Sequence, residues 1–461
     1  MAAKADELNR GGEDLSGDRR SGRGATVGGQ LRLLLAIVVV AVVAAAFAVG
    51  FRALLGAVAQ LLGGAGDIVA AVRNAPWWLR LVLPALGGLL AGVLGLATAR
   101  TAMGQGVGDV MEAVVLGRVH LSMPVTLLKS SASFFAIATG GSLGREGPLI
   151  QFGGAAGTLV GQRLGLSSER IRLLIAAGTA AGFASAYNTP FAAILFVIEV
   201  VTGVVALDAI LPSLLATAIA VALVRAVAGA GPIYGQRAFH MRSMWELVAY
   251  AGLGLVATLV TQAFMKLMAF GERCFRRQTL PLPWRPAIGG LLAGGVIAFM
   301  PEVAGNGYEP LNTLLDGRFT IGFVALLLVG KIVATTASVS SGSPGGVFTP
   351  TLLLGGAVGF LYGHALSALG VPVETAGSYA LVGMAAATAA AIHAPLLASV
   401  MAFELSGDYA VVLPLAVATA IATLVSRQIA RDSVYTAELS RKGLGWEVTL
   451  EGRKITGAGP K

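Results

Sequence analysis

Five consecutive residues, Gly144-Arg145-Glu146-Gly147-Pro148, set a carboxylate and a guanidinium among glycines, with long apolar segments on both sides. An ionised side chain at membrane depth is costly, and where one occurs it marks an ion or proton path, so Glu146 is the first candidate for chemistry. A carboxylate is itself an anion. Arg145 can cap carbonyls or pair with a carboxylate, a structural role, or it can add positive charge to the path.

Two further stretches break the apolar pattern and run into helix-like segments: Gly104-Gln105-Gly106-Val107-Gly108 and Gly342-Ser343-Pro344-Gly345-Gly346-Val347-Phe348-Thr349-Pro350. A helix start carries unpaired N–H donors and partial positive charge, and glycine lets backbone approach an ion closely. Three such starts converging would hold an anion without a full positive charge, weakly enough to release it again. Taken singly, each stretch is equally compatible with close helix packing through small residues. None continues as Gly-Lys-Ser/Thr, so none is a nucleotide loop. No Ser/His, Asp/Asp or His/Glu arrangement has the spacing of a catalytic site, which argues against an enzyme. Cys274 is alone, and His120, His240, His364 and His393 are scattered, so neither a disulfide, a metal site nor a cofactor is implied.

The elements that position these residues are membrane helices. The 461 residues are 56% hydrophobic and 12% charged, with 63 glycines, half the charge of a usual soluble domain. Apolar runs at 31–63, 78–98, 123–139, 148–161, 173–198, 203–230, 244–270, 287–300, 319–336, 346–370, 376–403 and 409–425 are candidate spans. Several are short or broken by Gly or Pro, which predicts discontinuous helices whose ends face protein or water. The first 30 residues are polar and basic without a cleavable apolar region, and are expected to be a disordered tail. Lys4, Arg10, Arg19, Arg20, Arg23 and Arg32 precede the first span, and Arg427, Arg431, Arg441, Lys442, Arg453 and Lys454 follow the last, so both termini are expected in the cytoplasm, with Arg273, Arg276, Arg277 and Arg285 in a cytoplasmic loop. Topology therefore accounts for the net charge of +9, and nucleic acid is not an expected partner.

The chain also repeats itself. Gly153-Gly154-Ala155-Ala156-Gly157 returns as Gly355-Gly356-Ala357-Val358-Gly359, and Pro190 precedes Glu199 by nine residues as Pro395 precedes Glu404. Two membrane halves are expected, 31–230 and 231–430, followed by a segment 431–461; a repeat interface near the midplane is where such proteins place a substrate.

In these motifs the sequence resembles the CLC family of chloride channels and proton-coupled anion antiporters, over about residues 31–440. Gly144 to Pro148 matches the family's GREGP, Gly346-Val347-Phe348-Thr349-Pro350 its GxFxP, and Gly104-Gln105-Gly106-Val107 stands in place of its GSGIP. Lys129 lies seventeen residues before Glu146, like the family's buried lysine, and Tyr435 resembles its pore tyrosine. The resemblance implies an all-α polytopic membrane protein of two inverted repeats with discontinuous, tilted helices, a homodimer in the cell membrane with an anion pathway in each subunit. It implies an anion site of Gln105, the N–H groups of Glu146, Val347 and Phe348, and the Tyr435 hydroxyl, with Glu146 as gate. The chain after Ala430 is too short for the paired nucleotide-binding domains that some members append.

Three departures bear on mechanism. Gln105 replaces the usual serine and offers two donors and an acceptor on a longer arm, which touches anion preference. Val200 follows Glu199 where antiporters carry an inner glutamate, and valine carries no proton. Met111, beside Glu112, stands where a second acid is usual. Glu199 and its repeat mate Glu404 are read as helix-end anchors, with a proton relay through Glu199 as the alternative. The loss at Val200 points to a channel; a proton-coupled chloride or fluoride antiporter with another inner route stays open.

Overall fold

The computed structural model describes residues 27–99, 106–117, 121–229, 231, 234–235, 241, 243–372, 375–441, 443–449 and 452–456. Gly104, Gln105 and the first 26 residues lie outside them. The first half comprises α1 (Val27–Leu61), α2 (Ile68–Asn74), α3 (Trp77–Ala99), α4 (Val107–Leu116), α5 (Met123–Ala138), α6 (Glu146–Arg163), α7 (Ser168–Tyr187), α8 (Pro190–Leu195), a π-helical turn Phe196–Thr202 and α9 (Leu207–Ala228). The second comprises α10 (Glu246–Arg277), α11 (Trp284–Phe299), α12 (Tyr308–Leu315), α13 (Ile321–Ser340), α14 (Phe348–Ala368), α15 (Ala376–Ile392), α16 (Pro395–Ser406) and α17 (Val412–Ile429). Seven described helices are long and apolar enough to cross a membrane.

The broken spans have local causes. The run 173–198 divides after α7, where Asn188 turns left-handed at φ 58° and Pro190 opens α8; the run 376–403 divides the same way at His393, φ 58°, and Pro395. A proline cannot donate to the preceding turn and restricts the residue before it, so a new helix must begin there. Small residues then let helices touch backbone to backbone: a Cβ on Gly153 would collide with the Gly178 carbonyl of α7, and one on Gly359 with the Tyr379 carbonyl of α15.

The repeat in sequence is a repeat in space. Gly144 and Gly346, which hold the same place in the two halves, form an antiparallel bridge with N–H to carbonyl distances of 2.7 and 2.8 Å. Glu199 accepts from the N–H groups of Leu396 and Leu397 at 3.2 and 2.7 Å, and Glu404 from those of Phe191 and Ala192 at 3.0 and 2.8 Å. Each half thus caps the first turn of a short helix in the other, where N–H groups have no helical partner.

Two boundaries differ from expectation. Helix α1 begins at Val27, inside the segment expected to be tail. The end of the chain is more than a tail: α18 (Thr436–Arg441) is followed by an antiparallel hairpin, β1 (Gly445–Thr449) with β2 (Gly452–Thr456), in the register Gly445↔Thr456 to Thr449↔Gly452. Alternation over Trp446-Glu447-Val448 suits a strand, and the Trp446 indole N–H donates to Asp432 Oδ1 at 2.8 Å. The membrane body is all-helical; the hairpin is an addition beyond it.

Candidate functional site

Three helix starts carry the Gly-rich stretches, and at none does the N-cap residue's own side chain close the first turn. Gly106 precedes α4 with φ 104°, Arg145 precedes α6, and Val347 precedes α14. The Gly144–Gly346 bridge holds the starts of α6 and α14 side by side, each offering roughly half a positive charge.

Glu146 is 1% exposed. Its Oε1 accepts the Phe348 N–H at 2.8 Å, and its Oε2 accepts the Thr349 hydroxyl at 3.1 Å and that of Tyr187 at 3.4 Å. Tyr187 and Thr349 hydroxyls are also 2.8 Å apart, so the carboxylate rests against a linked pair. A side chain on Gly144 or Gly346 would collide with it, so both glycines are required where they stand. The carboxyl group thereby occupies the opening of α14, on a donor expected for a bound anion.

From there a row of rings leads to Tyr435: Phe348 lies 5.6 Å from Phe183, Phe183 4.8 Å from Phe196, and Phe196 6.0 Å from Tyr435, between centroids. Tyr435 is buried, and its hydroxyl makes no hydrogen bond with a described residue. Glu146, Val347 and Phe348 are therefore brought to one locus with Gly144, Gly147, Pro148, Gly346 and Pro350 of the motifs, and the row of rings joins Tyr435 to it; Gly106 stands at the start of α4, and Gln105 and Gly104 fall outside the described residues.

The supporting residues are placed elsewhere. Lys129 Nζ lies 3.4 Å from Asp109 Oδ2, on the first turn of α4. The Arg145 guanidinium sits over the Tyr308 ring, 5.1 Å from its centroid, rather than on a carboxylate. Val200 and Met111 are packed in the core, 2% and 0% exposed, and Val200 lies in the π-helical turn. Glu199 is spent on α16, as described above.

Sequence reasoning missed Tyr187, Thr349 and Asp109. Thr349 was visible within its motif; Tyr187, 41 positions from Glu146, had no local signal.

The family model for voltage gated chloride channels matches residues 87–427. The chain belongs to the CLC family. A ClcB-like chloride channel protein of Ralstonia nicotianae is 41% identical over 401 residues, covering 85% of this chain and 93% of its own. A voltage-gated ClC-type chloride channel ClcB of Citrobacter koseri is 34% identical over 414 residues, covering 88% and 98%. Among solved CLC structures, a slow cyanobacterial Cl−/H+ antiporter superposes with a TM-score of 0.79 at 24% identity, covering 89% of this chain and 98% of its own. A CLC-type fluoride/proton antiporter gives 0.72 at 22%, covering 90% and 99%. The fold is thus that of CLC proteins, two inverted helical repeats, and the protein is a multi-pass membrane protein of a family that transports anions rather than catalysing reactions.

Proposed function

We propose that this CLC protein conducts chloride or a similar small anion across the cell membrane, through a pathway in each subunit of a homodimer, with both termini in the cytoplasm. Residues 31–230 and 231–430 are the two repeats, and 431–461 supplies the pore tyrosine. Glu146 is the gate. The observation that supports this is the buried Glu146 carboxyl group on the Phe348 N–H, a donor that a chloride in this reading would use instead. The anion site is completed by Gln105, the Glu146 and Val347 N–H groups and Tyr435. Lys129, paired with Asp109, supports α4; Arg145 is structural.

Val200 favours a channel or uncoupled carrier, since no acid stands there to pass protons inward. The second reading, a proton-coupled chloride or fluoride antiporter, is favoured by the fold shared with two antiporters. Simultaneous chloride and proton flux from sealed liposomes under an imposed chloride gradient separates them. Chloride movement without uphill protons supports the channel reading; uphill protons establish an antiporter and turn attention to other acids. No anion flux of any kind defeats both.

A further inference from the structure

A second carboxylate sits on a helix start. Glu438 belongs to α18, one turn after Tyr435, and its N–H donates to the Tyr435 carbonyl at 3.2 Å. Its Oε2 accepts the N–H of Gly108, in the first turn of α4, at 3.3 Å. The seat is close: a Cβ on Gly108 would lie 2.7 Å from Glu438 Cδ, so only glycine leaves the carboxyl room.

Tyr435 lies near both carboxylates. Its side chain is 7% exposed, its hydroxyl has no hydrogen bond with a described residue, and both Glu146 and Glu438 lie within electrostatic reach of it. Two of the three helix starts are therefore stopped by carboxylates, Glu146 on α14 and Glu438 on α4, with Tyr435 near both. The remaining charges near α4 are otherwise engaged or set apart: Asp109 faces Lys129 at 3.4 Å, and Glu112 lies further along the helix. Glu438 is half-buried, on the segment that leads to the hairpin, whereas Glu146 is enclosed.

We propose that Glu438 is an inner gate, a carboxylate that closes the cytoplasmic end of the anion path and must be displaced from the start of α4 by an incoming anion. The inference rests on the reading of the Glu146–Tyr435 locus as that path. It gives the inner end an acidic group from a different element than the one that carries Val200. The competition is direct: the carboxylate and a small anion seek the same N–H donors, and only one can hold them.

Chloride titration calorimetry on the purified full chain, with Glu438→Gln and Glu438→Asp, tests this. Removing the charge should tighten chloride binding about tenfold, the scale of one charge-assisted hydrogen bond. Glu438→Asp keeps the charge but is a methylene short of Gly108, and should tighten it about threefold, a partial loss of the same contact. If Glu438→Gln does not yield folded protein, the comparison is read from Glu438→Asp. Chloride affinity equal to or weaker than wild type, with a lowered Tm, would make Glu438 a structural cap of α4 and overturn the proposal. Absence of chloride binding in wild type and in Glu146→Gln alike would remove the anion path itself, and the inner gate with it.

Discussion

Glu199 in the first half and Glu404 in the second do the same thing to each other's half, whereas Glu146 and its counterpart Phe348 do opposite things at a single point. Each of the first pair closes a short helix across the repeat boundary through two N–H groups. In the second pair one residue brings a carboxylate and the other the N–H that receives it, 2.8 Å away. Symmetry of the backbone, seen in the mutual bridge of Gly144 and Gly346, thus builds a frame, and chemistry arises where the sequence departs from that symmetry. The lysines follow the same rule: Lys331, seventeen residues before Phe348 as Lys129 is before Glu146, is buried on the Val303 and Gly305 carbonyls at 3.0 and 2.9 Å, while Lys129 faces a carboxylate.

The largest effect should come from erasing the asymmetry. Glu146→Gln is expected to keep anion flux while abolishing its pH dependence and any proton coupling, read as chloride efflux from liposomes across a pH series; an unchanged pH response would remove Glu146 from the gate. Gly346→Ala should act similarly without touching the charge, because the added methyl takes the space of the carboxylate. Flux at neutral pH should rise and lose most of its acid stimulation, and a gate that still closes would place the carboxylate's resting position elsewhere.

The symmetric pair sharpens the contrast. Glu199→Ala and Glu404→Ala each leave two helix-start N–H groups without their acceptor, a cost of about 1–3 kcal/mol. Their Tm values should fall by similar amounts, and neither should alter the chloride-to-proton ratio. Loss of proton movement in the Glu199 variant alone would make that residue a relay. The smallest effect is expected for Thr349→Ala, which removes one of the donors holding Glu146: severalfold higher chloride flux at neutral pH, the net worth of one ordinary hydrogen bond, about 1 kcal/mol. Equal flux in wild type and variant would show that the hydroxyl is incidental.

Much of this was legible in the sequence because its signals are local. A charged pair among glycines, a proline nine residues before a glutamate in both halves, and Gly-rich breaks ahead of apolar runs are short-range patterns that translate into helix starts. What escaped depends on contacts between distant positions. Tyr187 reaches Glu146 only because α7 folds back along α6, and Glu438 reaches Gly108 across 330 positions. The matched Pro-to-Glu spacing revealed that Glu199 and Glu404 are mates, but not that each serves the other's half. The hairpin at Gly445–Thr456 did have a signal, alternation around Trp446, yet its brevity and polar setting hid it beside segments of far stronger hydropathy.

The exchange of Glu199 and Glu404 also has a consequence for biosynthesis. The start of α8 receives its acceptor from a residue 213 positions later, so at ordinary elongation rates of about 5–20 residues per second it waits roughly 10 to 40 s before that partner is made. The first half must therefore dwell in the membrane with those donors unsatisfied, or sheltered by the insertion machinery, until the second half arrives. Two halves expressed as separate polypeptides should accordingly find and complete one another, since what each lacks is carried by the other.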